Sequence, residues 1–332
     1  MMKLSLIIVN YNCDKWLKNL FNSINLQIFE HEVIIIDNNS PQLKWIDDIK
    51  ILKTPPKIIK LEKNIGFGGA CNIGAINSSG EILFFLNPDI NFSDSQIFAR
   101  IYEVINQGHL DVVSPLILDI DGIDPFYGKK LSIDAYGYVG LSNEFPFYIE
   151  GSALAISRKN FFKVGMFDDD YFMYSEDIDL SWRARLIGLK IGIINDIQVN
   201  HFSGGSNIKS IAVPGKRYST PITRRYEVEK NNISNLLKLY SAISLLIIMP
   251  SYVILSFLEI ATYAILNEKR VILAILSAWL WNIKNFKKTL LKRKVIQDLR
   301  TQGDLTIFLS TTGLFPNKIK ALVRVGAPKF VD

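Results

Sequence analysis

Leu4-Ser5-Leu6-Ile7-Ile8-Val9-Asn10-Tyr11-Asn12 opens on six β-type residues and breaks into a polar turn. A run of only six residues with no small-residue cleavage site is too short for a secretory leader, so it predicts a buried strand. The figure then recurs three times. Val33-Ile34-Ile35-Ile36 stops at Asp37-Asn38-Asn39-Ser40, Lys57-Ile58-Ile59-Lys60-Leu61 leads into Asn64-Ile65-Gly66-Phe67-Gly68-Gly69-Ala70, and Glu81-Ile82-Leu83-Phe84-Phe85-Leu86 ends at Asn87-Pro88-Asp89. Helical spacing fills the gaps: Asp14 can cap a helix with Trp16, Leu17, Leu20, Phe21 and Ile24 on one face, and a second helix runs through about Ser78. Continuous apolar strands alternating with helices predict an α/β fold with a mostly parallel sheet covered on both faces. Ligands of such sheets bind beyond the carboxyl ends of the strands, so the polar clusters converge on one site.

Downstream, residues 119–147 are rich in Asp, Gly, Tyr and Phe and read as an irregular loop region. Order resumes at Ile149-Glu150-Gly151-Ser152-Ala153-Leu154-Ala155-Ile156 and at Gly165-Met166-Phe167-Asp168. Tyr174-Ser175-Glu176-Asp177-Ile178-Asp179-Leu180-Ser181-Trp182-Arg183 reads as a loop entering a helix with three carboxylates in its first turn, where the helix dipole favours negative charge. A strand over Lys190 to Ile194 precedes Val199-Asn200-His201 and a Ser203-Gly204-Gly205-Ser206 turn.

Five constellations carry chemistry. Asp37 beside Val9-Asn10-Tyr11 can hold a nucleobase, the carboxylate accepting a ring N–H and the aromatic covering the ring; the Asp-Asn-Asn-Ser sequence also suits a turn without any ligand. The glycines between Asn64 and Gly74 let backbone N–H groups approach phosphate. They do not form the dinucleotide fingerprint, because Cys71 stands where its third glycine belongs and the stretch follows the third strand, which disfavours a nicotinamide dehydrogenase. Asp89, ending a strand, can hold a divalent cation whose remaining ligands come from a diphosphate and water. Asp177 can serve as a general base, and an unperturbed carboxyl with a pKa of about 3.9 is ionised at neutral pH. His201, following a strand, can join Asp89 on a cation.

The chain has 332 residues, 48% of them hydrophobic, and a formal net charge of +6. That composition excludes a disordered chain. Two cysteines, Cys13 and Cys71, exclude a disulfide-stapled scaffold and a structural zinc site, and point to a reducing compartment. The charge is uneven: Asn267 to Arg300 carries a net +7, leaving the other residues at −1. No basic residues interleave with aromatics across the N-terminal region, so nucleic acid is not the expected partner.

Just before this basic segment the chain is most apolar. Ala242 to Leu266 spans 25 residues with one charge, Glu259, and one proline, Pro250, and is long enough to cross a bilayer. Val271 to Ile283 is shorter and suits an interfacial helix, while Lys284 to Lys294 suits an anionic cytoplasmic leaflet. A buried helical hairpin or a homodimer interface through these C-terminal helices is the other reading. The expected layout is a catalytic domain over 1–215, a helical membrane-associating region over 216–300 and a tail over 301–332.

The series from Val9-Asn10-Tyr11-Asn12 through Asp37-Asn38-Asn39-Ser40, the glycine-rich stretch, Asn87-Pro88-Asp89, Glu176-Asp177-Ile178-Asp179-Leu180 and His201 resembles the inverting family 2 glycosyltransferases with the GT-A fold. It covers about residues 3 to 206 and is similar to the rhamnosyltransferase-like branch. Gly165-Met166-Phe167-Asp168 through Asp177 is its most specific element. The resemblance implies a GT-A nucleotide-diphospho-sugar transferase that uses Mg²⁺ or Mn²⁺ and adds a sugar, with inversion, to a saccharide or polyprenyl-linked acceptor. L-rhamnose from dTDP-L-rhamnose is the first choice and a UDP-sugar the alternative. The work would take place at the cytoplasmic face of the cell membrane in polysaccharide synthesis. By the same resemblance Val9, Tyr11, Asp37, Asn64, Gly66, Gly69, Asn72 and Asn87 bind the donor, Asp89 and His201 the metal, Asp177 is the base, and Gly151, Glu176 and Asp179 support it or contact the acceptor. Neutral Asn87 stands where the family's Asp-x-Asp motif has its first carboxylate.

Overall fold

The computed structural model describes residues 2–119, 130–142, 144–202, 219–326 and 328–331. In chain order the elements are β1 (Leu4–Asn10), α1 (Asp14–Asn25), β2 (His31–Asp37), β3 (Lys57–Lys60), α2 (Phe67–Ile76), β4 (Ile82–Leu86), β5 (Ile90–Asn91), α3 (Ile97–Asn106), β6 (Val112–Asp119), β7 (Lys130–Ile133), β8 (Val139–Ser142) and β9 (Ala153–Ser157). There follow α4 (Arg158–Val164), α5 (Glu176–Leu186), β10 (Ile191–His201), β11 (Ser219–Pro221), α6 (Ile222–Leu239), α7 (Ala242–Ile265), α8 (Lys269–Lys284), α9 (Phe286–Leu299), α10 (Asp304–Leu309), α11 (Asn317–Val325) and β12 (Lys329–Val331). The chain divides into two compact units, one of 1–129, 148–184 and 189–207, the other of 130–147, 185–188 and 208–332.

The first unit is built on an eight-stranded sheet in the order β3-β2-β1-β4-β9-β6-β10-β5. β1 lies parallel between β2 and β4 and is buried along its whole length, which is why its sequence is apolar apart from Ser5 and the terminal Asn10. Leu6 and Ile8 face a core shared with Leu17, Leu20 and Phe21 of α1 and Phe98 and Ile101 of α3. Ile7 points the other way, against α2, where a Cβ on Gly74 would stand 2.4 Å from its Cγ2. Among the described residues both faces of the strand are thus covered by helices.

Two strands, β9 and β5, run against the rest. β9 pairs antiparallel with both β4 and β6, so its first residues, not its last, lie at the edge where β1, β2 and β4 finish. β10 runs parallel to β6, shifts register between Ile194 and Gln198, and then pairs antiparallel with the two residues of β5. Such a bulge re-aims a strand. Here it sets His201 opposite Ile90, immediately after Asp89.

The second unit is mainly helical, with α6 packed on α8 and α9, and α7 on α8. Residues 130–142, expected to be irregular, form the β7–β8 hairpin. Its turn is made by the Asp134 carboxylate, which accepts from the N–H groups of Tyr136 at 2.8 Å and Tyr138 at 3.0 Å, an Asx-type turn inside a composition that otherwise reads as loop. Residues 120–129, the Ser203-Gly204-Gly205-Ser206 turn and the expected boundary at 215–216 lie outside the described residues.

Candidate active site

Five features meet at the carboxyl edge of the sheet. The β1–β2 register aligns Asn10 with Asp37, and the Asn38 N–H donates to the Asn10 carbonyl at 2.8 Å. Asp37 is buried, its Oδ2 accepting from the Ser40 N–H at 3.2 Å, while its Oδ1 is sealed from solvent without a hydrogen-bond partner among the described residues. A buried acceptor left unmatched costs about 1–3 kcal/mol, and a ligand N–H would recover it. Val9 is buried beneath this edge and Tyr11 is exposed above it.

The glycine-rich segment is braced as much as it is open. Asn38 Nδ2 donates to Asn64 Oδ1 and to the Gly66 carbonyl, both at 3.0 Å, while Asn38 Oδ1 accepts from Ile65 N–H at 3.0 Å. Asn64 Oδ1 also takes the Gly66 N–H at 2.9 Å. Gly66 has φ +82°, and a Cβ there would stand 2.1 Å from the Phe172 carbonyl oxygen, which accepts the Phe67 N–H at 3.0 Å. Asn72 clamps Phe167 in both directions, Nδ2 to its carbonyl at 2.9 Å and Oδ1 from its N–H at 3.0 Å. A Cβ on Gly69 would meet Ile65 at 3.4 Å. The side chains of Asn64 and Asn72 therefore tie this segment to the β2 end and to the 165–175 loop.

Beyond β4, the Asn87 N–H is held by the Ser152 carbonyl at 2.9 Å, so the strand end is fixed by the residues preceding β9. Asp89 and His201 are both buried, with His201 Nε2 3.1 Å from Asp89 Oδ1, and the Phe202 N–H donates to the Asp89 carbonyl at 3.1 Å. On its other side His201 Nδ1 lies 3.8 Å from a Glu150 carboxylate oxygen. A carboxylate oxygen and an imidazole nitrogen side by side fit a divalent cation that draws its other ligands from phosphate oxygens and water. Asp168, Asp169 and Asp170 form a further acidic group, in which Asp168 Oδ1 accepts the Asp170 N–H at 3.0 Å.

The first turn of α5 completes the edge. Asp177 Oδ2 accepts from the Gly151 N–H at 3.2 Å and Oδ1 from the Ile178 N–H at 2.8 Å. A side chain at Gly151 would meet the Phe67 ring at 3.0 Å, so glycine is what lets this N–H reach the carboxylate. Burial first, and then the Glu150 carboxylate, push the Asp177 carboxyl up to about 7, opposing the two N–H donors. The ordinary value assumed from sequence is corrected: near neutrality Asp177 is poised between its two forms. Asp179 differs. It is wholly buried and ion-paired with Arg183, whose Nε donates to it at 2.9 Å and whose Nη1 donates to the Val164 carbonyl at 2.6 Å, joining α5 to the end of α4. Glu176 is buried beside Gly68, its Cβ 3.7 Å from where a Cβ on that glycine would be.

Sequence reasoning missed Asn38, Glu150, Ser152 and Arg183. The rule that ligands sit beyond carboxyl ends points away from Glu150 and Ser152, which precede a strand that runs the other way. Ser152 is buried, and its hydroxyl has no partner among the described residues.

The mostly parallel sheet, with an unmatched buried carboxylate oxygen, an Asp–His pair and a raised carboxyl gathered at its carboxyl edge, has the GT-A fold. Residues 5–180 match glycosyl transferase family 2, more than half of the chain, and the chain belongs to that family. It is 27% identical over 215 residues to the low-salt glycan biosynthesis hexosyltransferase Agl10 of Haloferax volcanii, covering 60% of this chain and 66% of that protein, slightly under two thirds of its length. It is 22% identical to the rhamnosyltransferase WbbL of Escherichia coli over 69% of this chain and 94% of that one. The N-acetylglucosaminyl-diphospho-decaprenol L-rhamnosyltransferase of Mycobacterium tuberculosis shares 25% over 61% of this chain and 77% of its own. Among solved structures, GalNAc-T7 with UDP, GalNAc and Mn²⁺ superposes with a TM-score of 0.55 at 17% identity, over 73% of this chain and 49% of that one. Staphylococcus aureus TarS 1-349 in complex with UDP-GlcNAc gives 0.51 at 18%, over 72% and 67%. At these identities the likeness is one of fold.

Proposed function

We propose that the protein transfers a sugar, with inversion, from a nucleoside diphosphate to a hydroxyl of a saccharide. The observation that carries the reading is the Gly151 N–H holding Asp177 at 3.2 Å at the sheet edge that also bears the Asp89–His201 pair. Asp37 accepts an N–H of the base with the oxygen that lacks a partner, and Tyr11 covers the ring. The N–H groups of Ile65, Gly66 and Phe67 are taken by Asn38, Asn64 and the Phe172 carbonyl, so the diphosphate would be met by the first turn of α2 at Gly68 and Gly69. Asp89 and His201 would hold Mg²⁺ or Mn²⁺, which when bound offsets charge building on the leaving diphosphate. Asp177 takes the proton of the acceptor hydroxyl as that oxygen attacks the anomeric carbon from the face opposite the leaving group. Asn87, Gly151 and Glu176 frame the sugar and acceptor; Asp179 supports α5 from below.

L-rhamnose from dTDP-L-rhamnose is the proposed donor, on the strength of two relatives named rhamnosyltransferases, and a polyprenyl-linked saccharide the proposed acceptor, on the acceptor in the name of one of them. The proposed setting is cell-surface polysaccharide synthesis at the cytoplasmic face of the membrane. Thermal shift with dTDP-, UDP- and GDP-sugars, with and without Mn²⁺, followed by product analysis, tests this, since a ligand raises the melting temperature according to its affinity. Stabilisation and nucleoside diphosphate release with dTDP-rhamnose support the reading. The same response to a UDP-sugar alone moves the donor, pyrophosphate release makes the protein a nucleotidyltransferase, and binding without turnover makes it a saccharide-binding protein.

A further inference from the structure

α7 is built inside out. Its buried positions, Ser244, Ile248, Tyr252, Ser256 and Tyr263, follow helical spacing and four of the five carry a hydroxyl. Its outward positions are apolar: Ile243, Leu246, Ile247, Ile254, Phe257, Leu258 and Ile265 are each at least 60% exposed. α8 and α9 continue the pattern with exposed Leu273, Leu280, Ile283, Leu291 and Val295. A helix of a water-soluble surface has the opposite arrangement. An exposed apolar face of this extent needs a cover.

The polar side is locked. Tyr252 hydroxyl donates to Glu229 Oε1 at 2.9 Å, Arg225 of α6 donates to Glu229 at 2.7 Å and to Glu259 of α7 at 2.9 Å, and Lys318 of α11 pairs with Glu259 as well. Two acids and two bases, from three helices, close a compensated cluster around the one charged residue of α7. A helix crossing a bilayer on its own would present Glu259 to hydrocarbon or to a single partner; here that carboxylate fastens α7 along the unit.

We propose that α7 does not cross the membrane but lies in its plane, and that the outward apolar face of α7 and α8 docks on the surface of a bilayer rich in anionic lipid. Charge complementarity selects that cover over a second protein copy. The exposed Lys269 and Arg270 sit at the α7–α8 turn, and exposed Lys284, Lys287 and Lys294 follow the apolar residues of α8 into α9. Apolar side chains enter the acyl boundary while flanking ammonium and guanidinium groups meet lipid phosphates. This deepens the membrane part of the proposed function and rests on the helical unit alone.

The test uses the full chain, purified and mixed with preformed sealed vesicles of phosphatidylglycerol and phosphatidylethanolamine or of phosphatidylcholine alone. Expected are co-flotation with the anionic vesicles, binding at least tenfold weaker to the neutral ones, and transfer of bound protein to a second, freshly added anionic population. The variant Leu246→Asp/Leu258→Asp should lose at least tenfold in vesicle binding with an unchanged melting temperature and unchanged donor hydrolysis in solution. Protein that needs detergent and never transfers overturns the in-plane reading, because it spans. Equal binding by the variant, or a soluble dimer that the same variant splits, overturns the bilayer as the cover. Donor hydrolysis reads the catalytic proposal separately, so either can fail while the other stands.

Discussion

Two glutamates of the helical unit and three aspartates of the sheet edge are satisfied in different ways. In the helical unit Glu229 and Glu259 are matched by the guanidinium of Arg225 and the ammonium of Lys318. At the sheet edge Asp37 and Asp177 lean on backbone N–H groups, and Asp89 on an imidazole. Cationic partners make charge into architecture, since losing one strands the other in a low dielectric. Amide partners leave a carboxylate without a counter-charge, able to exchange protons or accept a ligand, so burial and the neighbouring Glu150 carboxylate raise Asp177 against the pull of its N–H donors. Asp177 and Asp179, two residues apart on one helix turn, fall on opposite sides of this line.

Breaking the comparison at that pair gives the largest effects. Asp177→Asn should lower kcat/KM by about 10³-fold, within the range for a removed general base, while the thermal shift produced by the donor stays intact. Its melting temperature at pH 8 should not fall. A carboxyl whose pKa rises from about 4 unfolded to about 7 folded weakens the native state progressively as pH climbs between those values, and Asn removes that burden. Asp179→Asn should do the reverse. It should lose about 3–5 kcal/mol of stability, because Arg183 stays buried without its counter-charge, with the melting temperature as readout. Equal loss of activity in both variants without destabilisation of the second would erase the distinction.

Smaller effects sharpen it. Gly66→Ala forces a side chain into φ +82° and onto the Phe172 carbonyl, and should cost about 2–3 kcal/mol in chemical denaturation. Asp37→Asn keeps the shape but removes the unmatched charged acceptor. Donor KM should rise about tenfold with kcat nearly unchanged, the mark of lost uniform binding.

The sequence made much of this legible. β1, β2 and β4 are buried on both faces, so their apolar runs could be read directly, and each polar cluster that ends them marks the site. What stayed hidden depends on direction and partnership. Glu150 and Ser152, on either side of the expected Gly151, reach the edge from the start of an antiparallel strand. The pairing of His201 with Asp89 was expected, but the register shift in β10 that brings the two together leaves no local sequence signal. The roles of Asp177 and Asp179 are decided by Gly151 and by Arg183, and adjacency in sequence says nothing about either. The polar seam of α7 was invisible because composition counts residues without saying which face they take.

The pH dependence of kcat/KM tests the central claim most directly, because it reports the titration of the free enzyme. With whichever donor the screen identifies, the account predicts a rate that is flat above about pH 7 and falls tenfold per pH unit below it, following protonation of Asp177. The Asp177→Asn variant should show no such limb in its residual rate. A profile flat down to pH 5, or an acid limb that survives in the variant, would contradict the assignment of Asp177 as the poised base.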